Sequence, residues 1–182
     1  MSSNRDRVLT AAIALLADEG VRSLTHLRVD ERAGLARGST SNIYRSREAL
    51  LVGVARHMAT TELPLVAASL LVDSVEELIE SLVVLFDSLT RAHRKMTAAR
   101  LALFVEAGHE PQVRAALAEG RARFDDVTRP AFRALGAAQP DRAAQLLAVC
   151  FEGLFLHHFG GHAVIEPRPI IAAAVRAGLE VS

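Results

Sequence analysis

Along nearly all of this chain apolar residues return every three or four positions. No stretch alternates apolar and polar residues for long enough to make a half-buried strand. That period belongs to a helix face, so the chain is expected to be all-α. Composition sharpens the expectation. Half the residues (51%) are apolar but only 4% are aromatic and none is Trp, so the core has to be assembled from Ala, Leu and Val. Ala and Leu are strong helix formers that let helices pack closely. A length of 182 residues allows one large domain or a small one followed by a larger one.

Glycines, prolines and small hydroxyls punctuate the helical pattern. A first helix is expected over Arg5–Glu19, with Val8, Leu9, Ala12, Leu15 and Leu16 inward and Gly20 ending it. Thr25 can cap a short helix running to Ala33, which Gly34 stops. A third short helix spans Arg37–Ile43. Ser46 then caps a fourth, which starts at Arg47, turns Leu50, Leu51 and Val54 inward, and should kink or end at Pro64. Four or five helices follow. Ser74 and Glu77 form a capping-box pattern before an apolar run to about Leu89. Further helices are expected over Met96–Ala107, over Pro111–Leu135 with break points at Gly120 or Pro130, from Asp141 to His158, and after Pro169.

Formal charge sums to zero, but unevenly. Residues 1–58 carry nine Arg against six acidic residues, and residues 59–182 carry twelve basic against fifteen acidic. A basic head on an acidic body is what results when only the head approaches phosphates. The single cysteine, Cys150, excludes an internal disulfide and fits a reducing compartment. No secretory signal is recognisable, and charges interrupt every apolar run before ~20 residues, so a cytoplasmic protein without a membrane partner is expected. No phosphate-cradling glycine loop, nucleophile elbow or carboxylate pair stands out. No catalytic residue and no cofactor are therefore expected, and Cys150 lies mid-helix in apolar surroundings where a thiol is inert. His157, His158 and His162 invite a metal reading, but Gly160 and Gly161 interrupt them and no further ligand stands nearby. A histidine packed at a helix end or dimer interface is the preferred reading, and no metal site is expected.

Two short helices joined by a turn containing Gly34 make a helix-turn-helix pattern. In such a unit the first helix crosses the backbone of DNA and the second enters the major groove. Arg37, Ser39, Ser41 and Asn42 are the exposed candidates on the second helix. Arg pairs bidentately with guanine, Asn with adenine, and small hydroxyls allow close approach. Thr25 and Arg47 stand at helix starts, where amides and charge suit phosphates. From spacing alone, an ordinary surface corner between two helices explains the pattern equally well.

The segments "VLTAAIALLADEGVRSLT" and "RAGLARGSTSNIYRSREALL" resemble the DNA-binding domain of the tetracycline-repressor (TetR) family, over residues 7–51 without a gap. The resemblance implies a homodimeric regulator, usually a repressor, that binds a palindromic double-stranded DNA operator. It also implies a variable C-terminal domain that takes up a small effector and releases DNA. The DNA-binding set then comprises Thr25, Arg37, Ser39, Thr40, Ser41, Asn42, Tyr44 and Arg47. Several positions depart from the family pattern. Ala36 replaces the usual Ser or Thr cap before the recognition helix, Thr40 an apolar residue, and Ser41 a Tyr. Ile43 and Tyr44 replace an aromatic or His followed by Phe, Asp30 a small residue, and Arg47 a Lys. These departures keep open an alternative, a helical protein-interaction module that has lost specific DNA binding.

The chain thus divides into a three-helix helix-turn-helix domain, residues 1–50, continuous with a helical effector-binding and dimerisation domain, residues 51–182. No Gly/Ser-rich linker separates them. Phe86, Leu89, Arg100, Phe104 and Phe124 are the candidates for a largely apolar effector site of unknown ligand identity. Core filling is the simpler role for each apolar one. The helix over residues 141–158 is apolar nearly all round and carries small residues at Ala144, Ala148 and Gly153. Such a helix is buried on every side, and together with the last helix it suits a four-helix interface across a two-fold axis.

Overall fold

The computed structural model describes residues 3–161 and 165–180, and among these it contains nine α-helices, one 3₁₀ turn and no strand. The helices are α1 (Asn4–Glu19), α2 (His26–Ala33), α3 (Ser39–Ile43), α4 (Arg47–Ser69), α5 (Val75–Thr90), α6 (Arg94–Glu106), α7 (Pro111–Ala134), α8 (Pro140–Gly160) and α9 (Pro167–Glu180). The all-α expectation holds. None of the described helices is long and apolar enough to cross a membrane.

The helix ends follow the local chemistry. Ser3 accepts from the Asp6 amide and the Asp6 carboxylate accepts from the Ser3 amide, a capping box that starts α1. Thr25 caps α2 by accepting from the Arg28 amide at 3.3 Å. Gly34 closes α2 in the left-handed region at φ 61°, where a side chain would be strained. Ser74 accepts from the Glu77 amide to start α5, while the Glu77 carboxylate reaches back to the Asp73 amide.

Several boundaries differ from the sequence pattern, among them α9, which begins at Pro167 and takes Pro169 into its first turn instead of following it. α3 starts at Ser39 rather than Arg37, because Gly38 sits at φ 94° and interrupts helical geometry just before it. α4 continues through Pro64 to Ser69, and α7 runs unbroken past Gly120 and Pro130. A single proline removes one backbone hydrogen bond, and the remaining turns of a long helix hold it. α8 begins at Pro140, so Asp141 is not its cap but stands in its first turn, paired with Arg129.

The helices form two compact units, and α4 and α7 each contribute to both. Residues 1–60 and 95–120 make the first. Its core brings Val8, Ala12, Leu15 and Leu16 of α1 together with Leu24, Val29, Leu50, Leu51, Val54, Met58, Leu103 and Val113. Residues 61–94 and 121–182 make the second, in which α5, α8 and α9 pack on one another. Leu78, Ile79, Leu82 and Phe86 of α5 are buried there, as are Phe151, Leu154 and Phe155 of α8 and Ile171 and Val175 of α9. Arg168 pairs with Glu80, and Arg176 with Glu76, which ties α9 to α5 at its surface. The packing division is thus discontinuous in sequence, and α6 belongs with the N-terminal helices.

Candidate nucleic-acid interface

α3 is only five residues long, and a helix of that length does not form by itself in water. Side chains of α2 hold it. The Asp30 carboxylate, buried between the two helices, accepts from the Gly38 amide at 2.7 Å, the Thr40 amide at 2.7 Å and the Thr40 hydroxyl at 2.5 Å. Burial alone would raise the Asp30 carboxyl above its usual range. The hydrogen bonds from Thr40 and Gly38, with His26 nearby, outweigh it and hold the group below that range. One turn earlier on α2, the His26 Nε2–H donates to the Tyr44 carbonyl at 2.7 Å, just beyond the far end of α3. From α1, the Arg7 guanidinium donates to the carbonyls of Ala33 and Gly34 at 2.7 and 2.9 Å, which fixes the turn.

With α3 held in this way, Ser41 and Asn42 face outward, and Arg37 and Arg45 stand exposed at either end. Ser39 is half-buried and its hydroxyl donates to the Ala36 carbonyl at 2.6 Å. The Ser41 hydroxyl donates to the Gly38 carbonyl at 2.9 Å. Thr25 is exposed at the start of α2.

Two of the sequence-predicted DNA contacts are buried, and a third is engaged by its neighbours. Thr40 is fully buried, its hydroxyl spent on Asp30, so it supports the helix from within and presents no atom to a groove. The Tyr44 side chain is only 8% exposed, lies under the Arg5 guanidinium and presses on Gly53, where no Cβ would fit. Burial raises its phenol above the ordinary value. Arg47 is engaged inside its unit: it donates to Glu106 of α6 and to the Val21 carbonyl, both at 3.0 Å. It fastens α4 to its neighbours, with the side chain still 37% exposed. Sequence reasoning missed Asp30 as a cap and Arg45 as an exposed cation. The signals were there, an acidic residue in a small-residue slot and a basic residue in the turn after the recognition helix.

The effector candidates are not gathered in one unit. Phe86 stacks on Phe155 with centroids 5.3 Å apart and meets Phe151 and His158 edge-on, while Leu89 is buried beside it. Both are packed core. Phe124 is half-buried on α7 of the same unit, whereas Arg100 and the exposed Phe104 stand on α6 of the other. An open groove of about 400 Å³ lies over α1 and α2, lined by Arg7, Thr10, Ala11, Ala14, Arg32 and Ala33. Its two guanidiniums are already committed, Arg7 to backbone carbonyls and Arg32 to Asp18.

Among the described residues no three His, Cys, Asp or Glu side chains come together to hold a metal ion. His158 packs edge-on against Phe86 and Phe159, and His162 lies outside the described residues. Cys150 is half-buried, and burial pushes its thiol up, away from the reactive thiolate.

Residues 73–181 match the family model described as "Tetracyclin repressor-like, C-terminal domain". The chain belongs to the tetracycline-repressor family. In this family member the N-terminal resemblance over residues 7–51 and the C-terminal match over residues 73–181 flank residues 52–72, and the fold is shared over nearly the whole chain. A transcriptional regulator from Rhodococcus sp. RHA1 superposes with a TM-score of 0.86 at 15% identity, over 98% of this chain and 97% of that one. SCO7518 from Streptomyces coelicolor A3(2) gives 0.79 at 22% identity over 99% and 100%. The multidrug-binding protein EbrR, in complex with ethidium, gives 0.79 at 19% identity over 98% and 100%. No protein of curated function matches the sequence.

Proposed function

We propose that this TetR-family protein is a cytoplasmic transcriptional repressor that binds a near-palindromic operator as a homodimer and is released by a small, largely apolar effector. The observation that carries the reading is the outward face of α3. Ser41 and Asn42 project from a short helix that cannot form alone yet is held from beneath by a buried carboxylate, with Arg37 and Arg45 at its flanks. Small and amide side chains between two cations suit base edges between phosphates. On this reading residues 1–50 carry DNA binding and residues 51–182 effector binding and dimerisation. Dimerisation is supported by an apolar stripe on α8: Leu146, Val149 and Leu156 are 37%, 62% and 61% exposed. Gly153 leaves the same face low, and the Cys150 thiol reaches the Ile170 carbonyl of α9, whose own side chain is exposed. EbrR, bound to ethidium in one structure and to proflavin in another, is the precedent for a small effector, which here would enter among the helices between Leu82 and Phe132.

Selection from a random duplex pool tests the reading. A palindromic consensus should emerge, since a two-fold dimer presents two identical recognition helices. Arg37→Ala or Asn42→Ala should then cost ~1–3 kcal/mol per base contact on that operator and little on random DNA. Leu156→Glu should turn the dimer into monomer or aggregate in sedimentation. A thermal-shift screen should find compounds that raise the melting point and weaken operator binding, as linkage between the two sites requires. A pool that yields no consensus would leave the interaction module as the better account.

A further inference from the structure

Resting on that reading, we infer that His26 and Asp30 set the sequence selectivity of the protein as positioning residues, gripping the recognition helix at both ends without touching DNA. Their spacing of four places both on one face of α2. The carboxylate takes the amides of Gly38 and Thr40 at the start of α3, and the imidazole donates to the Tyr44 carbonyl just past its end. An anion at the amide end and a donor at the carbonyl end match the partial charges that a short helix exposes there. The grip also resolves three departures at once. Ala36 cannot cap α3, the Asp30 carboxylate does so from across the turn, and Thr40 in the apolar slot supplies a third hydrogen bond. The hydrophobic hold on α3 is slight beside this one, since Thr40 is its one buried residue and Ile43 alone of its apolar side chains packs, partly buried, against the core. Base readout demands that side chains stay within a fraction of an ångström of their partners, whereas phosphate contacts tolerate more. Loosening the grip therefore erodes discrimination before it erodes affinity.

The test uses the full-length protein and the operator selected by the unmodified chain. Asp30→Ala and His26→Ala should each weaken operator binding about tenfold or more, the loss of one good base contact per half-site. Binding to random duplex should stay within about twofold, and the salt slope should not change. His26→Gln, which keeps a donor, should recover most of the selectivity that His26→Ala loses. Hydrogen exchange at the Gly38 and Thr40 amides should accelerate in Asp30→Ala ahead of exchange in α1. Should Asp30→Ala not fold, Asp30→Asn and the two His26 variants carry the test. Freed Gly38 and Thr40 amides with an unchanged operator-to-random ratio would overturn the inference, as would parallel losses on both DNAs. An unmodified protein that selects no operator would fail the regulator reading itself, and this inference with it.

Discussion

Replacing Gly53 even by alanine should destabilise the protein, although the position lies inside α4. In a helix interior, alanine ordinarily stabilises by about 0.5–1 kcal/mol relative to glycine. Here a Cβ would stand 2.8 Å from Tyr44 Cζ and 2.9 Å from its Oη, and closer still to Cε1. Carbon atoms settle at about 3.5–4.0 Å, so the ring has to withdraw by roughly 1 Å. The ring cannot swing freely into solvent, because Tyr44 is nearly buried and Arg5 lies over its face. Forcing an extra carbon into such packing costs about 1–3 kcal/mol, which exceeds the helix-propensity gain. Gly53→Ala is therefore expected to destabilise by roughly 1–2 kcal/mol. The strain should reach the recognition helix too, since the Tyr44 carbonyl is the acceptor for His26. Urea unfolding followed by far-UV circular dichroism checks this, with both proteins at one concentration because dimerisation contributes to apparent stability. A midpoint equal to or above that of the unmodified protein, with an unchanged slope, would refute the packing argument.

Arg47→Met should lower stability by about 1 kcal/mol through loss of the part-exposed bonds to Glu106 and Val21. It should reduce the salt slope of DNA binding by clearly less than the roughly one unit that a phosphate contact would give; a full unit would reinstate the phosphate role. Gly178→Ala should gain little or nothing in the same urea assay, because its Cβ would meet the Ala143 Cβ and Cα at 3.1 and 3.2 Å and that crowding offsets the roughly 0.5–1 kcal/mol alanine ordinarily adds in a helix; the full gain would refute the close contact. Acid should weaken the hold on α3. Asp30 is ionised with a depressed folded value, so its contribution is complete above the unfolded value of about 3.9 and disappears as pH falls through the folded one. The stability difference between the unmodified protein and Asp30→Asn should accordingly begin to shrink as pH falls below about 4 and close only below the depressed folded value, and a gap that stays constant throughout that fall would refute this.

Periodicity and punctuation made the helices legible. Gly20, Gly34, Thr25 and Ser74 end or start elements where their chemistry predicts. What periodicity could not convey is which side chains spend their polar atoms inside the protein. Thr40, Tyr44 and Arg47 have the chemistry of DNA contacts, and only the fold shows that Asp30, the Gly53 face and Glu106 absorb them. Asp30 and Ala36 read as two unrelated departures because six residues and a turn separate them. In space they are one substitution, a cap moved from before α3 to the helix beneath it. Prolines misled in the opposite direction, since the rest of a long helix outweighs one missing donor at Pro64 or Pro130. The effector candidates were chosen as aromatic or charged residues in the right span. Nothing in their spacing indicates that Phe86 closes an aromatic cluster with Phe151 and Phe155 while Phe104 faces outward on α6.

Tyr44 is the only tyrosine in a chain without tryptophan, and this gives the molecule an optical property of its own. Ultraviolet emission excited near the tyrosine band arises from one ring, lodged where α3 meets α4 beneath Arg5 and beside Gly53. The second compact unit, whose rings are phenylalanine and histidine, is almost dark at those wavelengths. An unlabelled sample thus carries a native reporter at the root of the recognition helix. Its quantum yield and anisotropy record events at that corner alone, while circular dichroism records all the helices together. Melting the two signals side by side would reveal whether the corner loosens before the rest of the protein. Adding a non-absorbing compound would show whether a binding event is felt there, with no dye attached, and a DNA duplex would do the same once its own absorption at the exciting wavelength is corrected for.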